Sequence, residues 1–498
     1  MNLASLAESH PSDRRAIVVP GHTLTWGELS EAARNLRGTL AARGIASGDR
    51  VGLLAHNDVA FVVGYLALLG RGAVAVPLDV RAPAFELQGQ LRRVGATLLV
   101  VGPGIDLTPA DLDGAVEQVL RLDATGVAQE PDVAAPDPDA DVDDAIVEVD
   151  DDALAVLAFT SGTAGAPQAA MLSHGNLLAN LRQAQAAPTS VRADDVVYGV
   201  LPLAHVFGFN VVLGGCLATG AALVLADHLD PAGLLRALRE EGVTVLPGVP
   251  PMWSALAAAP QGVFPDDAFA GVRMAVSGAA ALAPEIAVAV HERFGLVVAE
   301  AYGLTEASPG VSSAVGLPFN PGSIGKVLPG VEVNLVDATG TPVPLGDSGE
   351  IWVRGDNVFR GYWGDDAATA RVLTDDGWLR TGDLAVTDAD GSLRLVDRAK
   401  DLVIVSGFNV FPAEVEAVLA EAPGVRDAAV VGAPDERRGE AVIAYVVPEP
   451  GASLDAESLR DWCRQHLARY KVPSTIHVAD QIPRSVSGKL LRRELRQR

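Results

Sequence analysis

At 498 residues, 49% of them hydrophobic and with a mean hydropathy of +0.24, the chain is too long for one ordinary core and is expected to form at least two domains. A formal net charge of −25 argues against nucleic-acid binding and against anionic membrane surfaces, both of which are themselves negative. Two isolated cysteines, Cys216 and Cys463, exclude a disulfide framework or a cysteine-ligated metal site and fit a reducing cytoplasm.

Residues 1–15 carry charges and Pro11 but no apolar signal-peptide core, so secretion is not expected. Residues 26–43 space Leu29, Ala33, Leu36 and Leu40 as one helical face, with Thr25 placed to cap the helix and Glu28 to complete a capping box. A strand at 51–55, a helix at 59–69 and strands at 73–78 and 97–101 follow. That alternation implies a mostly parallel sheet with helices on its faces. Residues 130–152 hold eleven acids and three prolines, which reads as a solvated connector needing no partner.

An apolar run at 154–159 reads as a buried strand, and helix-like sequence follows at 175–180. Residues 196–226 contain no Asp, Glu, Lys or Arg and are long enough to cross a bilayer, but Pro202, His205, Asn210 and five glycines break them. A strand, a helix and a second strand buried in a sheet are expected instead, with no membrane span. The α/β pattern continues through strands at 223–225, 244–246 and 274–276.

From about Gly330 the texture changes to short strands at 331–334, 350–353 and 393–396, separated by Gly340, Gly346 and Asp390-Gly391. After 397–401 a new α/β pattern begins, with helices at 412–422 and 454–467 and strands at 427–432 and 440–447. The fold class is therefore α/β: a large domain over 1–399, including a β-rich subdomain at about 330–399, and a smaller α+β domain over 400–498.

Four stretches carry chemistry. Thr160-Ser161-Gly162-Thr163-Ala164-Gly165-Ala166-Pro167-Gln168 sets hydroxyls and bare backbone N–H groups at a strand exit, which suits phosphate oxygens. It is not a Walker A loop, and Gln168 stands where a lysine would be the natural electrostatic partner. In Tyr302-Gly303-Leu304-Thr305-Glu306, a glycine lets a flat ring approach the backbone and Glu306 offers oxygen to Mg²⁺; alone, it reads as a turn entering a helix. Arg380-Thr381-Gly382-Asp383 reads as a tight turn presenting a carboxylate to the paired hydroxyls of a ribose, or as an ordinary Gly-Asp turn. Pro483-Arg484-Ser485-Val486-Ser487-Gly488-Lys489, beside Arg492-Arg493, is either a solvated basic tail or a loop that delivers a cation to phosphates.

In this order and spacing the motifs resemble the adenylate-forming superfamily of acyl-CoA synthetases, luciferases and peptide-synthetase adenylation domains. The resemblance runs from Thr23-Leu24-Thr25-Trp26 to Lys489, and includes Pro202-Leu203-Ala204-His205, residues 397–401 and Ser406-Gly407-Phe408-Asn409-Val410-Phe411-Pro412. It departs from the family pattern at Gln168 and Ala169, which replace the usual Lys-Gly.

The resemblance implies two half-reactions: a carboxylate attacks the α-phosphate of ATP, and a thiol then takes the acyl group. By the same resemblance Thr160, Ser161, Gly162, Thr163 and Gly165 hold the β- and γ-phosphates, Glu306 holds Mg²⁺, and Thr305 contacts the α-phosphate. Gly278, Ala279, Ala280, Tyr302 and Gly303 frame the adenine, while Asp383 binds the ribose hydroxyls and Arg398 lies nearby on ribose or phosphate. Lys489 bridges α-phosphate and carboxylate from a mobile small domain that turns about the hinge Lys400 and then presents Ser406, Gly407, Phe408 and Asn409 on the thiol side.

His205, Val206, Phe207, Gly208, Val249, Pro250, Met252, Trp253, Ser277 and Gly278 match pocket-lining regions; His205 touches the substrate carboxylate, gates the site or is structural. No Asp occurs between Leu201 and Ala226 to anchor an ammonium group, and no Arg or Lys follows Ser277 until Arg293. A mostly apolar fatty or aryl acid is expected, with ATP, Mg²⁺ and coenzyme A as cofactors. The alternatives are a free-standing ligase that loads a carrier-protein phosphopantetheine, with no carrier domain expected beyond Arg498, and a non-catalytic nucleotide-binding relative.

Overall fold

The computed structural model describes residues 1–129, 144–160, 167–398, 401–405, 408–435, 439–484 and 490–496. Ser161, Gly162, Thr163, Gly165, Lys400, Ser406, Gly407 and Lys489 lie outside the described residues, as does the connector from 130 to 143. For Arg398, Phe408 and Asn409 the backbone alone is described. The chain divides into two compact units, Met1–Glu332 with Val353–Leu379, and Val333–Trp352 with Arg380–Arg498.

Two large sheets organise the first unit. The seven-stranded sheet runs Ala128–Gln129, Gln118–Leu122, Leu98–Val101, Arg50–Leu54, Val74–Leu78, Leu154–Thr160 and Gln168–Ser173. Its interior pairs are parallel and both edge pairs antiparallel. The nine-stranded sheet runs Lys326–Val327, Gly310–Ser313, Val298–Gly303, Met274–Ser277, Val245–Gly248, Val196–Gly199, Ala222–Leu225, Arg15–Val19 and His22–Thr25. Helix Val59–Gly70 is apolar around its whole circumference, and each of its 12 residues is buried. Such a helix is stable only inside a core. The box at Thr25 forms as expected: its hydroxyl accepts from Glu28 N–H, and the Glu28 carboxylate accepts from Thr25 N–H at 2.8 Å.

The charge-free stretch folds as strand Val196–Gly199, a π-helical turn Phe207–Leu213, helix Gly214–Thr219 and strand Ala222–Leu225. Among the described residues no helix is long and apolar enough to cross a membrane. Two local expectations change. A strand, Gln168–Ser173, lies between the hydroxyl- and glycine-rich stretch and helix His174–Gln185, and it pairs antiparallel with Leu154–Thr160. The described end of the acidic connector is also tied down: Val147 N–H donates to Gly70 O at 2.8 Å, and the Asp151 carboxylate meets the Met1 ammonium at 2.9 Å.

In the second unit a four-stranded sheet runs Glu332–Val336, Gly349–Arg354, Leu379–Thr387 and Leu393–Arg398. A further sheet pairs Val425–Asp435 with Gly439–Pro448, which also pairs with Val403–Val405 and, in parallel, with Thr475–Val478. Helices Pro412–Ala420 and Ala456–His466 close its core through Val415, Leu419, Leu459 and Cys463.

Candidate active site

Most of the candidate residues of the first unit gather at the carboxyl edge of the nine-stranded sheet, the edge where parallel strands release their loops and where open α/β sheets bind ligands. Gly248 and Ser277 are in register, as are Ser277 and Glu300, so the loops that follow leave side by side. Phe207 packs on Gly278, where a β-carbon would lie 2.8 Å from the ring. Trp253 packs likewise on Gly248, where a β-carbon would again lie 2.8 Å from the ring. Glycine is required at both places because an aromatic face occupies the side-chain position. Met252 and Trp253 are buried, and Ser277 Oγ and Trp253 Nε1 have no hydrogen-bond partner among the described residues. Ala279 adopts φ +67°, a left-handed bend that turns the chain sharply after the strand.

His205 is exposed, and its Nδ1 accepts from Phe207 N–H at 3.2 Å, so the ring helps start the helical segment. Gly208 sits so close beneath Pro202 that a β-carbon would lie 2.0 Å from the Pro202 carbonyl oxygen. Asn57, unread in the sequence, holds this loop from the other sheet: its amide donates to Leu201 O at 2.8 Å and accepts from Leu203 N–H at 2.9 Å.

Strand Val298–Gly303 runs into a single helical turn, Thr305–Ala307, and the chain returns at Gly310. Leu304 N–H donates to Pro309 O at 3.1 Å, and a β-carbon on Gly303 would meet that oxygen at 2.3 Å. The tightness of this reversal is why position 303 is glycine. Tyr302 is 7% exposed, its ring largely enclosed. The Glu306 carboxylate accepts through Oε1 from the Tyr362 hydroxyl at 2.7 Å. Burial, then the neighbouring Glu306 charge, raises the Tyr362 phenol above its ordinary range and keeps it a donor.

Three buried asparagines grip the backbone of this turn. Asn357 donates to Ala307 O at 2.8 Å, Asn210 to Ser308 O at 2.6 Å and Asn180 to Gly310 O at 2.9 Å. Gln183 donates to Asn357 Oδ1 at 3.2 Å and fixes that amide in turn. The Glu300 carboxylate accepts from Leu282 N–H and Gly322 N–H, each at 3.0 Å, and joins the loop after Ser277 to residues 320–325.

Where strands Leu154–Thr160 and Gln168–Ser173 meet the candidate phosphate stretch, Thr160 and Gln168 are Cα partners. The Gln168 amide donates to Asp365 Oδ2 at 3.2 Å, with Arg93 3.7 Å from the same oxygen. Asp365 also caps helix Asp366–Val372 by accepting from Ala368 N–H at 2.8 Å. That backbone donor, with Gln168, Arg371 and Arg93 behind it, holds the Asp365 carboxyl below its usual range.

In the second unit, Arg380-Thr381-Gly382-Asp383 is not a turn: it lies inside strand Leu379–Thr387, with Asp383 paired to Arg398. The turn-like signal came from Gly382, which takes φ +70° within the strand and donates its N–H to Glu350 Oε1 at 2.9 Å. The Thr381 hydroxyl donates to Ile351 O at 2.7 Å and accepts from Asp383 N–H at 3.1 Å. Backbone at Phe408–Val410 pairs with Val403–Val405. Three described arginines of the basic tail are paired with acids of the second unit. Arg484 pairs with Asp427 at 2.7 Å, Arg492 forks onto both Glu416 oxygens at 2.8 Å, and Arg496 reaches Asp401 at 3.0 Å.

The AMP-binding enzyme model matches residues 3–363, and the AMP-binding enzyme C-terminal domain model matches residues 414–489. The chain belongs to the AMP-binding enzyme family. It is 38% identical over 480 residues to a feruloyl-CoA synthase of Amycolatopsis sp., covering 96% of this chain and 94% of the relative. A long-chain-fatty-acid–CoA ligase of Yersinia pestis is 34% identical, covering 97% and 92%. Among solved structures, ATP-bound MatB from Rhodopseudomonas palustris superposes with a TM-score of 0.91 at 32% identity, over 100% of this chain and 98% of that one. With these relatives the chain falls in the acyl-CoA synthetase branch of the adenylate-forming enzymes. It is an AMP-forming acid–thiol ligase.

The carboxylate that the sequence reading assigns to a divalent cation is Glu306. Among the described residues its Oε2 takes no hydrogen bond, and no group of three or more His, Cys, Asp or Glu side chains gathers into a protein cage. One carboxylate with an open oxygen fits a cation that draws its other ligands from phosphates and water. Asn57, Asn180, Asn357, Tyr362 and Asp365 carry no signal of these contacts in the sequence, and Asn210 reads there only as a break in an apolar run. The available signal was polarity in apolar surroundings: amides on the buried face of helix His174–Gln185, and a tyrosine closing the turn-like run Arg360-Gly361-Tyr362.

Proposed function

We propose that this ligase activates a mostly apolar monocarboxylic acid, aryl or fatty, and passes the acyl group to the thiol of coenzyme A. The packing of Phe207 on Gly278, within a neighbourhood whose 196–226 stretch has no Asp, Glu, Lys or Arg, carries the reading. A second carboxylate or an ammonium group in such surroundings would be desolvated without a partner, at a cost of several kcal/mol. The feruloyl and long-chain-fatty-acid specificities for which the two relatives are named agree with aryl and fatty acids respectively.

In the first half-reaction a carboxylate oxygen bonds to the α-phosphorus of ATP as the α–β bridging bond breaks and pyrophosphate leaves. Joining an anion to a polyanion makes charge neutralisation and in-line positioning the main demands. In this reading Thr160, Ser161, Gly162, Thr163 and Gly165 donate to the outer phosphates, Thr305 to the α-phosphate, and Lys489 to both reacting anions. Tyr302, Gly303 and 278–280 bound the adenine, and Asp383 and Arg398 take the ribose side. Mg²⁺, when bound at Glu306, offsets phosphate charge. In the second half-reaction the thiol sulfur attacks the acyl carbonyl and AMP leaves, with Ser406, Gly407, Phe408 and Asn409 on the thiol side and Lys400 as hinge.

A pyrophosphate-release screen over aryl, fatty, amino and dicarboxylic acids tests the substrate class: aryl or fatty acids should lead, and preference for an amino or dicarboxylic acid would refute it. With the best acid in hand, coenzyme A should support AMP formation at least as well as a phosphopantetheinylated carrier protein. The reverse order would make the chain a carrier-loading ligase.

A further inference from the structure

One short segment, residues 359–365, is bonded both to strand Gln168–Ser173 and to the turn that carries Glu306. Along the strand, Arg360 N–H donates to Met171 O and Met171 N–H to Gly361 O, each at 2.9 Å, and Trp363 N–H donates to Ala169 O at 2.8 Å. These bonds make 360–363 an added strand, with Ala170 facing Tyr362. Asp365 extends the attachment to the start of that strand by accepting from the Gln168 amide. Toward the turn, Phe359 N–H donates to Glu306 O at 2.9 Å and the Tyr362 hydroxyl donates to Glu306 Oε1 at 2.7 Å.

Tyr362 is held for this task. It is 7% exposed, its ring meets Phe359 edge-on at 5.0 Å, and its N–H donates to Thr369 Oγ1 at 2.9 Å. Gly361 beside it takes φ +109°, and a β-carbon there would strike the Thr369 side chain at 2.6 Å. Swinging the phenol away would break the ring contact with Phe359 and expose a buried side chain. A long, flexible glutamate has several rotamers, and a fixed donor on one oxygen selects one of them.

We infer that Tyr362 is a positioning residue: through its hydroxyl it fixes the Glu306 carboxylate in register with the proposed phosphate stretch, leaving the second oxygen for the cation. The inference rests on Glu306 as the cation-side carboxylate, as proposed above. The asparagines set the backbone of the turn, whereas Tyr362 alone, among the described residues, sets its carboxylate. Remove the hydroxyl and the carboxylate must be ordered by the cation itself, so cation affinity should fall while the bare nucleotide site is unaffected.

The test compares Tyr362→Phe, Glu306→Gln and the double variant in the full-length chain, by titration calorimetry of ATP at graded Mg²⁺ and in EDTA, alongside pyrophosphate release. Tyr362→Phe should raise the Mg²⁺ needed for half-maximal ATP binding about tenfold, the loss expected for one charge-assisted hydrogen bond, with ATP affinity in EDTA unchanged. In the Glu306→Gln background the same change should add nothing. Equal loss in EDTA, or penalties that multiply in the double variant, would overturn the role. If Glu306→Gln shifts the Mg²⁺ requirement and Tyr362→Phe does not, the positioning role falls and the cation-side reading of Glu306 stands; if Glu306→Gln shifts nothing, both fall. Should Tyr362→Phe fail to fold, Phe359→Leu, which removes the ring that steadies the phenol, should shift the Mg²⁺ requirement in the same direction by a smaller factor, and no shift would refute the role.

Discussion

Gln168 and Asp365, 197 residues apart in the chain, meet amide to carboxylate at 3.2 Å at the end of the candidate phosphate stretch. The residue standing where relatives of this superfamily carry lysine is therefore engaged with an anion of its own protein. A lysine at 168 would meet the same carboxylate and be neutralised by it before reaching a phosphate. Gln168→Lys alone should thus change the Kd for Mg·ATP by less than about threefold, as expected for a partly exposed ion pair. Gln168→Lys with Asp365→Asn leaves the ammonium unpaired and should tighten binding about tenfold, the worth of one charge-assisted phosphate contact. Calorimetry on the three chains decides, and equal tightening in the single and double variants would refute the account.

Two glycines of the 196–226 stretch, Gly208 and Gly215, should respond in opposite ways to alanine. At Gly208 a β-carbon would lie 2.0 Å from Pro202 O, backbone against backbone, so the helical segment carrying Phe207 must shift. Gly208→Ala should cost at least about 1–3 kcal/mol and lower acid-dependent pyrophosphate release. At Gly215, inside helix Gly214–Thr219, the nearest atom would be Val191 Cγ2 at 4.0 Å. Gly215→Ala should leave turnover intact and add roughly 0.5–1 kcal/mol by restricting the unfolded chain. Thermal melts and steady-state assays of both chains check the contrast.

Stability should respond to pH through buried His174 and half-buried Asp58, acting in opposite directions. His174 accepts Leu3 N–H on Nδ1 at 3.1 Å, and burial lowers its pKa from 6.5 to about 4. Between those values the unfolded chain binds the extra proton, so this stabilisation is complete above about pH 6.5 and is lost as pH falls toward 4; its full size is about 3 kcal/mol. Asp58, which caps helix Val59–Gly70, is raised by burial from 3.8 to about 6. There the folded chain holds the extra proton, so its contribution falls as pH rises from about 4 to 6. The opposed slopes should leave the wild-type urea midpoint nearly flat across pH 4–6.5. His174→Gln should expose the Asp58 slope as a midpoint that declines with rising pH, and a variant that keeps the wild-type profile would remove His174 from the balance.

Much of this architecture was legible because its signals are local. The Thr25 box and the apolar helix expected at 59–69, which runs to Gly70, each declare themselves within a few residues. Gly303 is marked too, but for the approach of a ring, whereas the glycine is required by the backbone reversal against Pro309. Asp383 was placed in a turn although it lies in a strand, since a left-handed glycine inside a strand writes the same short pattern as a turn glycine. The supporting groups were illegible for a different reason. Asn357 reaches Ala307 across 50 residues and Asn176 reaches Val358 across 182, and nothing adjacent to either asparagine marks its partner. Periodicity reports which face is buried; it says nothing about which carbonyl a buried amide will find.

Lysine is scarce enough here to make its role separable. The chain has four, Lys326, Lys400, Lys471 and Lys489, and Lys471 binds both oxygens of Glu414 at 2.6 Å within the second unit. Lys489 lies outside the described residues, but the chain on either side of its loop is anchored: Arg484 pairs with Leu490, and Leu491 N–H donates to Pro483 O at 2.9 Å. If Lys489 neutralises the two anions that react during adenylation, removing it should act on that step alone. Lys489→Ala should lower carboxylate-dependent pyrophosphate release by about 10²–10³ or more, the scale of one preorganised electrostatic contact, and change thiolysis of supplied acyl-adenylate little. Lys471→Ala should do the reverse in kind, lowering the melting temperature of the chain while leaving the ratio of the two half-reactions unchanged. Rapid-quench measurement of each half-reaction separates these outcomes. Equal loss of both half-reactions in Lys489→Ala, with an unchanged melt, would show that the lysine serves substrate binding in general and not the adenylation step.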